Sequence, residues 1–445
     1  MVFLIDLLSD RYAPIQDSLL LHLGPAEIAR LTCTCRAFGC LWPTLMKRDY
    51  NINRHLRNLF MDPRAFRSAQ AKSNALIMDG LAADYTNFVT RENSQCGELI
   101  IFVDKHHITP LVEYIEAEGY ERWNPRPADP EMEKLVLSYR KKCPIGARSY
   151  WNISLNYNEQ SPIFRILEVT DTTLYLRFLS WNKAYVLFPH EMFVEANCRL
   201  LSRDDWDISG YLTTWHDTQQ LRHQAQTSDD ARVGNAARLD RRLLFLLLGV
   251  AEDGPDHMYR RIGDKHTWIL NLDVAGVTVP DTPDAVLEST MFEVRRLPEP
   301  FVMTYGKIEE RYPRQELNYQ QLRHPVLKHQ YLAPSPDGRQ LDGKQSSLHR
   351  KMKILIEKLD RWTLGELEKI PDADRPLEYW HLQYGDRPGG ALRYRFALPA
   401  AWTFYDDEVL EELKDAWEKR DEVSVEAEEP ADKGDVDTST ETALV

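Results

Sequence analysis

The chain has 445 residues, 43% of them hydrophobic and 28% charged, which is enough apolar material for two or three domains and a sizeable core. Eleven Trp and twenty Tyr exclude general disorder. A formal net charge of −14 disfavours a surface built for nucleic acid or anionic lipid.

Six cysteines, Cys33, Cys35, Cys40, Cys96, Cys143 and Cys198, are too sparse for a disulfide framework and point to a reducing compartment. The first eight residues are apolar, but Asp6 interrupts them and no basic stretch precedes them, so no signal peptide is expected. The longest apolar run, residues 243–251, is about half of what a membrane span needs. The expectation is a soluble protein, cytoplasmic or nuclear, that binds neither membrane nor nucleic acid.

Residues 10–50 read as three short helices. Ile15, Leu19, Leu20 and Leu23 form the stripe of the first, and Gly24-Pro25 ends it and opens the second. Ile28, Leu31 and Cys35 follow at helical spacing, then Phe38, Leu41, Trp42 and Leu45. Cys33, Cys35 and Cys40 do not have a zinc-ribbon spacing and read as packed thiols.

The order Pro14-Ile15-x-x-Ser18-Leu19-Leu20, Leu23-Gly24-Pro25-Ala26-Glu27-Ile28 and Cys35-Arg36-Ala37-Phe38 resembles the F-box motif. The resemblance implies docking to an Skp-type adaptor of a cullin–RING ubiquitin ligase. The contacts it implies are Pro14, Ile15, Leu19, Leu20, Pro25 and Ile28. The usual Leu before Pro and Glu after it are missing here. The competing reading is a helical cap whose stripes are buried against the body.

Residues 49–60 read as a basic amphipathic helix. Asp62-Pro63 opens another that runs to about Ser73. Ala75-Leu76-Ile77-Met78 is a short buried strand, and residues 81–88 read as helix. Residues 98–103 are a strand, and Thr109-Pro110 caps a helix ending at Gly119.

Asp49-Tyr-Asn-Ile-Asn-Arg-His-Leu, Asp62-Pro-Arg-Ala-Phe-Arg-Ser and Asn74-Ala-Leu-Ile resemble a set of uncharacterised fungal F-box-like proteins with a nucleotidyltransferase-like domain. In that set a Gly-Ser follows the first strand to hold phosphate, and an Asp-x-Asp on the next binds two divalent metals. This chain has Met78-Asp79-Gly80 and Glu98-Leu99-Ile100 instead. Two-metal chemistry needs several hard oxygen ligands at one place, and Ile100 offers none. Asp79 would oppose a triphosphate. The expectation is therefore a degenerate domain with no catalytic residue, no metal site and no cofactor. The alternative is a divergent Mg-dependent nucleotidyltransferase with ligands Asp79, Glu98 and Asp104.

Residues 123–148 read as a proline-containing loop or insertion that can hold a helix over 130–141, and residues 151–157 as an alternating strand. Residues 163–169 and 173–179 read as a hairpin whose second arm holds no carboxylate. Ser180-Trp-Asn-Lys-Ala-Tyr-Val-Leu-Phe-Pro189 and Arg261-Ile-Gly-Asp-Lys-His-Thr-Trp268 also resemble the fungal set. Lys183 could reach a phosphate there, but a surface lysine at a strand end is the plainer reading. Arg260, Arg261, Asp264 and Lys265 read as a solvated hairpin. Further on, Ser346-Ser347 caps a long helix, residues 377–398 read as two strands, and residues 406–420 as a closing helix.

The expected fold class is α+β. A three-helix F-box-like module (10–60) precedes a degenerate nucleotidyltransferase-like α/β domain (61–285). A C-terminal α/β extension with β-rich additions (286–420) and a disordered acidic tail (421–445) follow. The expected function is a non-catalytic interaction protein, an F-box-type substrate adaptor whose partners are an Skp-type protein and an unknown recruited protein.

Overall fold

The computed structural model describes residues 50–78, 98–123, 135–142, 150–195, 197–201, 249–250, 257–297, 301–305, 308–312, 314–335, 346–384 and 396–420. Isolated positions 12, 15, 16, 28, 31, 45, 82 and 394 are described as well. Most of the expected three-helix module, the expected helix at 81–88 and the acidic tail lie outside these residues.

The chain is a mixed α+β protein. Helix α1 (Ile52–Leu56) is shorter than the expected amphipathic helix, because the backbone turns over 57–59. Asp62 caps α2 (Pro63–Lys72) by accepting from the amides of Arg64 and Ala65, with Pro63 in the first turn. Strands β1 (Leu76–Met78) and β2 (Glu98–Asp104) follow, then α3 (Thr109–Ala117) and β3 (Glu121–Arg122). Thr109 is not the cap of α3, because the helix already includes it and Ile108 precedes it with no side-chain cap. The stretch expected as a helix up to residue 141 contains strand β4 (Val136–Lys142) instead. It pairs along its length with β5 (Tyr150–Asn158), and that ladder overrides a weak local helical pattern.

Residues 163–169 form helix α4 (Pro162–Val169), not a hairpin arm. Ser161 accepts from the amide of Phe164, and Pro162 sits in the first turn, so the start is a helix cap. Strands β6 (Arg177–Leu179) and β7 (Lys183–Val186) come next, followed by the short β8 (Asn197–Cys198), β9 (Leu200–Leu201) and β10 (Gly249–Val250). Then come β11 (His257–Arg261), β12 (Trp268–Asn271), α5 (Asp284–Glu288) and β13 (Met291–Arg296). The hairpin β14 (Phe301–Tyr305) and β15 (Ile308–Tyr312) leads to β16 (Arg314–Asn318), β17 (Gln320–Leu322) and β18 (Tyr331–Ala333). Helices α6 (Ser347–Glu368), α7 (Leu377–Tyr384) and α8 (Asp406–Glu418) complete the described chain. The two strands expected over 377–398 are thus not found where α7 lies; its Tyr379 is buried and packs into the helical core.

The main sheet has the order β12-β7-β6-β1-β2-β5-β4-β3. Its pairs are antiparallel except β2 with β5. Side chains alternate across it. Ile77, Leu99, Ile101 and Val103 face α2 and α3, where Phe66, Leu111 and Ile115 are fully buried. Leu76, Met78 and Phe102 face α4 and a second sheet of order β11-β13-β16-β9. Helices α6, α7 and α8 build a further core with Val326 and Tyr331.

A buried arginine ties the first layer together. Arg67 on α2 is 1% exposed, and its guanidinium donates to the carbonyls of Trp181 (2.6 Å) and Asp273 (2.5 Å) and to Asn53 Oδ1 (3.1 Å). Gln70, one turn on, donates to the carbonyls of Ala75 and Leu179. Gln70 thus satisfies carbonyls at the ends of β1 and β6, and Arg67 those of the β6–β7 turn and of Asp273 just beyond β12. The expected boundary at 285 is bridged by the second sheet, in which β11 pairs with β13 over five residue pairs.

Candidate functional site

The place to look for phosphoryl-transfer chemistry is the edge where β1 ends and β2 begins. The antiparallel register sets Met78 opposite Ile100, and the parallel one sets Glu98 beside Asn152 and Ile100 beside Ser154. The position that would need a second carboxylate thus holds an isoleucine, and its neighbours are neutral. Asp79 lies outside the described residues.

Asp104 is not near Glu98. The two occupy opposite ends of the seven-residue strand β2, roughly 20 Å apart at strand rise. Asp104 is 6% exposed and occupied: Oδ1 accepts from the amide of His106 (2.7 Å), and Oδ2 accepts from Gln330 Nε2 (3.1 Å). Asp79, Glu98 and Asp104 therefore cannot form the expected trio. Among the described residues, no group of three or more His, Cys, Asp or Glu side chains could hold a metal ion.

Lys183 is neither at a phosphate site nor a plain surface residue. It pairs with Asn271 at the far end of the sheet from Glu98. Its Nζ lies 2.7 Å from Asp284 Oδ2 and 2.6 Å from Glu288 Oε1, both on α5. Burial works to lower the ammonium pKa, but the hydrogen bonds to Asp284 and Glu288 outweigh it and the pKa is raised. Asn182 and Tyr185 reach the same two carboxylates, so the cluster locks α5 onto β7.

The charges of the β11–β12 turn are not a solvated hairpin. Arg260 and Asp264 are 3% and 8% exposed and meet at 2.8 Å. Arg260 also donates to the carbonyl of Leu187 and lies over the Phe188 ring. Asp264 accepts from the amides of Arg261 and His266. Burial pushes its pKa up, but Arg260 and those amides prevail and hold the carboxyl below its usual value.

Of the residues implied as adaptor contacts, Ile15 and Ile28 are described, and they differ. Ile15 is 44% exposed. Ile28 is 1% exposed and belongs to the core formed with Leu45, Tyr50 and Ile52. A side chain so placed anchors its segment to the body and does not face a partner. Pro14, Leu19, Leu20 and Pro25 lie outside the described residues.

One constellation was not singled out by sequence. Glu293 on β13 is 1% exposed, and its carboxylate gathers three hydrogen-bond donors with a second histidine nitrogen close by. His257 Nε2 of β11 is 2.5 Å from Oε1, Asn318 Nδ2 of β16 is 2.7 Å from Oε2, His349 Nε2 of α6 is 3.4 Å from Oε2, and Arg295 donates to Oε2. Burial alone would raise the pKa of Glu293; these four partners outweigh it and hold the carboxyl far below the usual range. His349 Nδ1 in turn lies 2.7 Å from Ser346 Oγ and 3.2 Å from Tyr259 OH.

Ser346, His349 and Glu293 have the membership of a nucleophile–base–acid relay, but not its availability. Ser346 Oγ already accepts from the amide of His349 as the cap of α6, and Tyr259 OH sits 2.6 Å from it. The arrangement is a buried polar joint between the second sheet and α6. Its only sequence signal is the Ser346-x-x-His349 spacing at a helix start, since His257 and Glu293 sit in strands with no local signature.

Comparison of the chain with protein-family models, with curated proteins and with solved structures finds no match. Among the described residues no helix is long and apolar enough to cross a membrane.

Proposed function

We propose that the chain is a non-catalytic interaction protein, an F-box-type adaptor whose N-terminal segment binds an Skp-type protein and whose body recruits a second protein. The observation that carries the non-catalytic part is the register at the β1–β2 edge. Met78 faces Ile100 there, with Ser154 alongside, so the strand position that would need a second metal-binding carboxylate holds carbon and leaves Glu98 without a paired carboxylate on its own strand. Among the other charged groups weighed for the site, Lys183, Asp264 and Asp104 all have structural partners.

The adaptor part rests on the sequence pattern around Pro14, Leu19, Leu20 and Pro25 and on the exposed Ile15. Ile28 is reassigned to anchoring. Co-expression of the full chain with an Skp-type adaptor tests the reading. The pair should co-purify, and a Leu19→Asp/Leu20→Asp variant should lose the adaptor while keeping its fold. Failure of the intact chain to retain the adaptor would remove the ligase role.

A further inference from the structure

Helix α6 turns one face to the core and another to α8. Leu348, Met352, Leu355 and Leu359 are buried. On the flank Lys351 pairs with Asp415 (2.7 Å) and Lys358 with Glu412. A third face remains. Arg350, Lys353, Glu357 and Arg361 recur at helical spacing and are exposed, and Ile354 among them is 41% exposed. Arg350 and Lys353 have no ion-pair partner among the described residues, and Arg361 reaches only the backbone carbonyl of Glu357. The stripe thus holds three cations against one anion, beside an apolar side chain.

The chain itself supplies the complementary charge. Residues 421–445 carry nine acidic residues and one lysine. They leave the body where this stripe begins, because the C-terminal end of α8 is tied to the start of α6 by Ser347 Oγ donating to the Lys419 carbonyl at 3.1 Å. Arg350 to Arg361 spans roughly 16 Å along the helix. Residues 421–429, with five carboxylates, reach up to about 30 Å when extended, so they can cover it. The acids of α8 that line the approach, Asp415 and Glu412, are already neutralised by Lys351 and Lys358. A tether this short also sets a local concentration in roughly the millimolar range.

We propose that the acidic segment 421–429 docks in cis along the Arg350–Lys353–Arg361 face of α6, covering Ile354 and closing that face to other acidic partners. This assignment is independent of the adaptor reading.

Zero-length carbodiimide cross-linking of the full chain, followed by peptide mapping, tests it. Lys353 should form amide links to carboxylates of 421–429 within one molecule, at a yield that does not change with protein concentration. About 0.5 M salt should lower that yield threefold or more, because the contact is exposed to screening. Arg350→Glu with Arg361→Glu should lower it to a similar extent. Neutralising the tail by Glu426→Gln, Glu428→Gln and Glu429→Gln should do the same without touching the body. Links from Lys353 confined to Glu357, or formed between molecules, would overturn the proposal, as would tail links to lysines elsewhere with Lys353 unmodified.

Discussion

At the scale of single residues, buried charge in this protein is used to join elements. Glu293 is the clearest case, with three hydrogen-bond donors drawn from three strands and His349 of α6 close by. Its folded pKa is lowered, so its contribution is fully present above the unfolded value and is lost as pH falls, when the unfolded chain takes up the proton first. Chemical denaturation of the wild type should therefore show stability falling between about pH 5 and pH 3. Glu118, Asp264 and Glu366 have lowered values too and share in that slope. Glu293→Gln should flatten the slope and cost about 3–5 kcal/mol at neutral pH, because Arg295 and the two histidines lose their shared anion. A second contrast concerns Ile15 and Ile28. Ile28→Asp places a charge in the core and should destabilise by more than about 3 kcal/mol. Ile15→Asp should leave the denaturation midpoint unchanged and weaken only adaptor binding.

At the scale of elements, apolar runs and most caps were legible, and amphiphilic segments whose state is set by a distant partner were not. Asp62-Pro63 and Ser346-Ser347 behave as their residues predict, because the capping side chain and the first turn are local. Ser161-Pro162 is an equally local cap, yet Ile163, Phe164, Ile166, Leu167 and Val169 read as strand because the same residues fill a buried helix face. Residues 136–142 became a strand through pairing with β5, a partner no local window contains. The β11–β12 turn shows how tightly such elements are joined. A Cβ on Gly263 would stand 3.0 Å from the Glu288 carbonyl oxygen and 3.1 Å from its Cβ. Gly263→Ala should therefore push α5 off the turn and cost about 1–3 kcal/mol, readable as a lower urea midpoint. The Lys183 contact to Glu288 should loosen with it, giving faster amide exchange across 284–288.

At the scale of the whole molecule, the division expected at 285 follows the end of the resemblance to the fungal set, while the strands disregard it. The second sheet takes β9 and β11 from before that point and β13 and β16 from after it. Strand pairing over such separations leaves no trace in a local window, so the boundary could not be read. A chain ending at residue 285 strips β11 of its partner β13 and should expose Met258 and Ile262; rapid proteolysis within 257–262 would show this. The candidate site was legible in a different sense. The residues at the β1–β2 edge are named directly by the sequence, and the register adds only that Met78 and Ile100 face each other. What sequence could not supply was the distance from Glu98 to Asp104, or the partners of Lys183. In the proposed reading the body serves recognition and the N-terminal segment binds the adaptor. Calorimetric titration of the full chain with a purified Skp-type adaptor tests it most directly. The account predicts saturable one-to-one heat that Leu19→Asp/Leu20→Asp abolishes while Ile15→Asp reduces it. A flat titration, or heat unchanged by those substitutions, would contradict it.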